Sequence, residues 1–210
     1  MKKIVVYLCV GVLVLGMTAC GRNDDTKTGE TNSQEQTAEA TRIPGENADI
    51  TGDTAADEVV PVDTAVVRQA VVDVLGDNFW PNTEMPAEFL ESYGLTADMY
   101  EVFYGEMPMI STNVDTLIVI QAKEGQLDAV EQVLENYREN LVNDAMQYPM
   151  NKGKIQASRI ESFGNCVCFV QLGADTTNIY GEDGNEEAVI RHCQEQNELA
   201  LEAIGKVISQ

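Results

Sequence analysis

The chain has 210 residues and a formal net charge of −22, from 13 Lys and Arg against 35 Asp and Glu. A surface so acidic repels nucleic acid and anionic lipid headgroups, which argues against both as partners of the folded body. With one His and five Cys in the whole chain, histidine-based catalysis has a single candidate base and metal ligands are few.

At the start, Lys2 and Lys3 precede an apolar run from Ile4 to Gly16, followed by Met17-Thr18-Ala19-Cys20. A basic lead, an apolar stretch of about 13 residues and small residues before a cleavage point make residues 1–19 a secretory signal peptide. The run is too short for a membrane-spanning helix, which needs about 20 residues. Cys20 directly after small residues resembles a bacterial lipobox, in which the Cys is acylated and becomes the new N-terminus. The plainer alternative is an ordinary signal peptide cut after Ala19, leaving a free thiol. Lipidation is the expected outcome, with a two-chain anchor sufficient for stable attachment to the outer face of the cell membrane. Loss of Lys2 and Lys3 with the signal lowers the formal charge to −24.

Residues 20–62 then form a lipidated Cys and an acidic tether. From Gly21 to Val62 there is no aromatic residue, and Thr, Glu, Asp, Asn and Gly dominate. Such a stretch buries too little apolar area to offset its ordering entropy, so it is predicted to be disordered.

Residues 63–210 suit a single domain. Asp63 is a helix cap before Val66, Val67, Ala70, Val71, Val74 and Leu75, one helical face stopped by Gly76. The turn Asn78 to Asn82 carries the only tryptophan, Trp80, read as a clamp on the core or as the lip of a binding groove. Pro86 opens a short helix over Ala87 to Tyr93, and Thr96 is expected to cap another one through Phe103. Met107 to Ser111 is predicted as a short edge strand, because Pro108 confines it to an edge. Asp115 to Lys123 contains Leu117-Ile118-Val119-Ile120, an apolar run of strand length that implies burial on both faces.

Leu127, Val130, Val133, Leu134, Tyr137 and Leu141 then recur at helical spacing, predicting a long helix that ends near Tyr148, before Pro149. Pro149 to Lys154 reads as a loop, and Ile155 to Glu161 as a strand. Gly164-Asn165 is a two-residue hairpin turn, and the returning strand Cys166 to Leu172 is uncharged and central. Asp183 and Glu186 have capping-box spacing for a last helix to about Ile208. Its inward positions are Val189, Ile190, Cys193, Ala200, Leu201, Ile204 and Val207. The expected class is α+β: a mostly antiparallel sheet of three or four strands packed by long helices, after the disordered linker.

Two stretches carry a resemblance. Met107-Pro108-Met109 with Asn113-Val114-Asp115, and above all Gln147-Tyr148-Pro149-Met150-Asn151-x-Gly153-Lys154-Ile155-Gln156-Ala157, resemble a family of uncharacterised lipoproteins of Gram-positive bacteria. The resemblance covers about Phe79 to Gly173. It implies attachment outside the cytoplasmic membrane and transfers no activity or catalytic residue. Cys166-Val167-Cys168 departs from it, since aromatic or aliphatic residues would be expected there.

Candidate ligand contacts are Tyr148, Asn151, Lys152, Lys154 and Arg159, in and beside the one local basic cluster, together with Trp80 as the groove lip. The lysines and Arg159 read either as an anion-binding patch or, more simply, as partners of Asp144 and neighbouring carboxylates. Tyr148 is expected to swing against the sheet, since Pro149 restricts it to extended angles. Zinc would have to combine Cys166, Cys168, Cys193 and His192, and a Cys-x-Cys pair alone is weak evidence. The acidic loop Asp175 to Glu187 lacks the glycine of a calcium-binding loop, with Tyr180 in its place. No phosphate-binding or dinucleotide glycine motif occurs, so no metal, cofactor or catalytic residue is expected. The expected role is a non-catalytic binding or scaffolding module of the cell envelope, with an envelope protein or wall component as partner. The alternatives are a wall or peptide hydrolase using Glu101 with Glu106, and a small solute receptor with a pocket near Trp80.

Overall fold

The structure is a computed structural model and describes residues 60–110 and 112–209. The signal peptide, Cys20 and residues 20–59 of the tether lie outside the described residues. The chain enters through Val60 and Val62, which meet a glutamine of the sheet: Val62 N–H donates to Gln121 Oε1, and Gln121 Nε2 donates to Val60 O, both at 2.9 Å. Helix α1 (Thr64–Leu75) follows, with Asp63 accepting from the N–H groups of Ala65 and Val66, and Gly76 closes it with φ 53°. Its buried face is Val67, Val71 and Leu75, whereas Val66 and Val74 turn outward.

Strand β1 (Thr83–Glu84) leads to a 3₁₀ helix over Ala87–Tyr93 that Gly94 ends, as its sequence suggests. The expected helix from Thr96 to Phe103 is not there. A single turn closes with Met99 N–H donating to Thr96 O, and the chain then extends as β2 (Tyr100–Met107). Tyr, Val, Phe and Tyr in succession favour a pleated strand over a helix. Gly105, which looks like a helix stop, sits inside that strand. A Cβ there would come within 2.9 Å of the Met85 carbonyl oxygen, so glycine is what lets β1 approach β2. Met107 therefore ends β2, and Pro108 to Ile110 lie outside any strand.

Strand β3 (Thr116–Ala122) is buried along its whole length, as the apolar run requires. Helix α2 (Leu127–Asn143) buries Val130, Val133, Leu134 and Tyr137, and stops five residues before the expected end. Pro149 does not begin a loop. It is the first residue of α3 (Pro149–Ala157), with Tyr148 as the extended residue before it. Gly153, a poor helix residue, disguises this helix, but a Cβ there would lie 2.8 Å from Val189 Cγ1, so it sets the close packing on the last helix. Strand β4 (Arg159–Phe163) therefore starts four residues later than expected. The Gly164-Asn165 turn joins it to β5 (Cys166–Gln171), pairing Phe163 with Cys166. A short α4 (Thr177–Tyr180) precedes α5 (Glu186–Ile208), whose cap is Asn185 accepting from Ala188 N–H rather than Asp183.

Among the described residues the strands form one antiparallel sheet of five, in the order β1-β2-β3-β5-β4, rather than the three or four expected. Both faces are covered. Ile118, Ile120, Val167 and Phe169 pack on α2 and the 3₁₀ helix, while Leu117, Val119, Cys168 and Val170 pack on α1 and α5. Phe169 is fully buried and meets Tyr137 edge to face at 5.3 Å, a geometry that adds about 0.5–1.5 kcal/mol beyond burial. Asn197, mid-way along α5 and fully buried, is satisfied at both ends. Its Nδ2 donates to Ala157 O and its Oδ1 accepts from Leu172 N–H, which ties α5 to the ends of α3 and β5.

Candidate ligand-binding site

The polar centre of the molecule lies at one end of β3 and β5. Asp115, just before β3, is 0% exposed and Lys154, inside α3, is 2% exposed; their Oδ1 and Nζ are 2.5 Å apart. The ammonium also donates to Asn113 Oδ1 at 2.9 Å and to the Ala174 carbonyl, so its three hydrogens are used. Asp115 Oδ2 accepts from the N–H groups of Gly173 at 3.2 Å and Ala174 at 2.8 Å. Burial pushes the Asp115 carboxyl above its ordinary range, against the pull of the Lys154 ammonium and the two N–H groups. The network holds Ala174 at φ 51°, a left-handed conformation that non-glycine residues seldom adopt. His192 Nε2 lies 3.2 Å from the Gly173 carbonyl oxygen, on the same turn.

Lys154 therefore does not pair with Asp144 or a nearby carboxylate: it is a buried cation whose partner lies 39 residues earlier. Over the network lies a cavity of about 170 Å³ lined by Trp80, Asn113, Asn151, Lys154, Ala174 and Thr177, among others. Trp80 stands on its rim, 37% exposed, with its indole N–H donated to Asp77 O. It thus borders the cavity and does not clamp the core, and Phe79 takes the core position under the Arg68 guanidinium at 5.1 Å. Two amide nitrogens on the cavity walls, Asn113 Nδ2 and Asn151 Nδ2, are buried without a partner among the described residues.

Three of the sequence candidates, Trp80, Asn151 and Lys154, therefore line one cavity. The others are elsewhere. Tyr148 caps α3 and is 47% exposed, so it does not anchor the loop against the sheet. Lys152 is exposed and borders a separate dip shared with Asp144 and Gln156. Arg159 on β4 pairs with Glu161 at 2.6 Å and with Glu198, the plain outcome for a surface cation.

Beside the cavity, and sharing Ile110 and Asn113 with it, runs a groove of about 510 Å³. Its walls include Met85, Phe89, Met109, Tyr137 and Leu141, and Phe89 and Met109 are well exposed. Its polar lining includes Gln171, 1% exposed, whose Nε2 donates to Val114 O at 2.5 Å while Oε1 has no partner among the described residues. Sequence reasoning missed both Gln171 and the groove. The available signal was a single glutamine closing an otherwise apolar strand.

The arrangement does not assemble the hydrolytic pair. Glu101 and Glu106 stand five residues apart on β2, roughly 17 Å along an extended strand. Glu106 is bound by Arg68 at 2.8 and 3.0 Å and by the Tyr104 hydroxyl, while Glu101 is exposed. Cys166, Cys168 and Cys193 are buried free thiols, and burial raises Cys166 to about 11 and Cys193 to about 12. Among the described residues no group of three or more His, Cys, Asp or Glu is placed to hold a metal ion. In the Asp175 to Glu187 loop, Asp175 Oδ1 accepts from Thr177 N–H.

A family model described as a domain of unknown function (DUF4358) matches residues 82–172. That segment runs from β1 to the end of β5 and contains Asn113, Asp115, Asn151, Lys154 and Gln171. No curated protein and no solved structure matches the chain.

Proposed function

We propose that the protein is a membrane-anchored extracytoplasmic lipoprotein, held through Cys20, that binds an envelope protein or wall component without catalysis. The anchor rests on the order of Lys2-Lys3, the apolar run and Met17-Thr18-Ala19-Cys20. Binding rests on one observation: the cavity beneath Trp80 carries two buried amide nitrogens that no described residue satisfies. Unpaired buried polar groups cost stability, of order 1–3 kcal/mol each, and a ligand oxygen would offset that cost.

Stability measurements on Asn151→Ala test the binding half. A group retained for a ligand is dispensable to the fold, so the variant should melt at or above the wild-type temperature. A drop of several degrees would make Asn151 a packing residue and remove the argument. For the anchor, a fatty-acid analogue fed to cells should label wild type and not Cys20→Ala. Labelling of the variant would rule out that anchor.

A further inference from the structure

The groove, taken as part of the binding end proposed above, has a ligand chemistry of its own. We propose that it takes an extended peptide segment with a large apolar side chain and neutral or basic flanks, whose peptide group is read by Gln171 and Asn113. The two amides cannot exchange ends. Gln171 Nε2 is held by Val114 O, which leaves Oε1 as an acceptor; Asn113 Oδ1 is held by Lys154 and by Asp115 N–H, which leaves Nδ2 as a donor. Both line the groove, both belong to residues more than nine-tenths buried, and both atoms lack a partner among the described residues. One acceptor and one donor are the complement of a peptide N–H and C=O.

The walls agree with this. Thr83, Met107, Thr116 and Gln171 all line it, one from each of β1, β2, β3 and β5 at the same end of the sheet, so the groove runs across four strands, a span of roughly 14 Å that suits an extended chain. Met85, Met107 and Met109 supply a soft apolar lining that adapts to different side chains. Charge discriminates among apolar ligands. Glu84 is the one charged residue of the lining among the described residues, and the whole chain stands at −22, which disfavours a fatty acid or an anionic lipid and favours a peptide with lysines.

Fluorescence anisotropy on the full-length protein tests this with three probes. They are a fluorescein-labelled peptide with a Leu-Phe core flanked by lysines, the same core flanked by glutamates, and a dansyl-labelled fatty acid. The lysine-flanked peptide should bind saturably, and Gln171→Leu should weaken it by about tenfold or more. Methylating the peptide nitrogens one at a time should abolish binding at one position in the unaltered protein, a result independent of whether Gln171→Leu folds. Preference for the fatty acid, a methylation series with no sensitive position, or no saturable binding by about 1 mM each overturns the proposal. Preference for the glutamate-flanked peptide would point to the acidic residues 21–59 as occupant and overturns it as well. These failures leave the Asn151→Ala result untouched, so the wider reading is judged separately.

Discussion

Two buried glutamines sit at opposite ends of the same β3–β5 ladder, and they are used differently. Gln121 is opposite Cys166, is 3% exposed, and spends both ends of its amide on the incoming backbone at Val60 and Val62. Gln171 is opposite Thr116, is 1% exposed, and leaves its oxygen without a partner among the described residues. Burial and residue type are the same; satisfaction is not. A buried amide with every atom paired stiffens a fold, whereas one left half-paired is a standing cost that the architecture alone does not explain. The Gln121 end reads as construction and the Gln171 end as a site.

The sharpest way to break this contrast is to attack the network that braces the site end. Lys154→Ala leaves Asp115 buried without its counter-charge and should cost about 3–5 kcal/mol in urea denaturation. The double change Asp115→Leu with Lys154→Met should recover much of that loss. A Lys154→Ala protein of wild-type stability would show that the pair is not sealed from water. Next in size, Gln121→Met should cost about 1–2 kcal/mol, because it strands two backbone groups, while Gln171→Met should stay within about 1 kcal/mol. Equal losses at the two glutamines would abolish the distinction. The smallest effect is expected at Tyr148, where truncation to Ala at a half-exposed cap should change stability by no more than about 0.5 kcal/mol. A core-sized loss there would restore the anchoring role that its place before Pro149 suggests.

What could be read from the sequence was local. The Asp63 cap, the apolar run of β3, the α2 stripe and the Gly164-Asn165 hairpin each depend on residues within a turn or two of one another, and each is found. Errors arose where a local signal had a distant cause. Gly105 resembles a helix stop but makes room for β1, and Gly153 resembles a loop glycine but makes room for α5. Pro149 resembles a terminator but starts a helix. For the site, the motif residues Asn151 and Lys154 and the lone Trp80 could be singled out, and they share a cavity. That Lys154 is buried could not be seen, because its charge partner Asp115 belongs to another element. Gln171 and Asn113 become notable only once their missing partners are visible.

The clasp of Gln121 on Val60 and Val62 also gives the molecule a direction. The chain leaves the fold toward its N-terminus at the Gln121 end of the ladder, and the groove and cavity open at the Gln171 end, five residue steps or roughly 17 Å away along β3. Val60 thus marks the heel of the fold. The opening is carried at the far tip, so whatever enters it meets the fold at the end away from Val60.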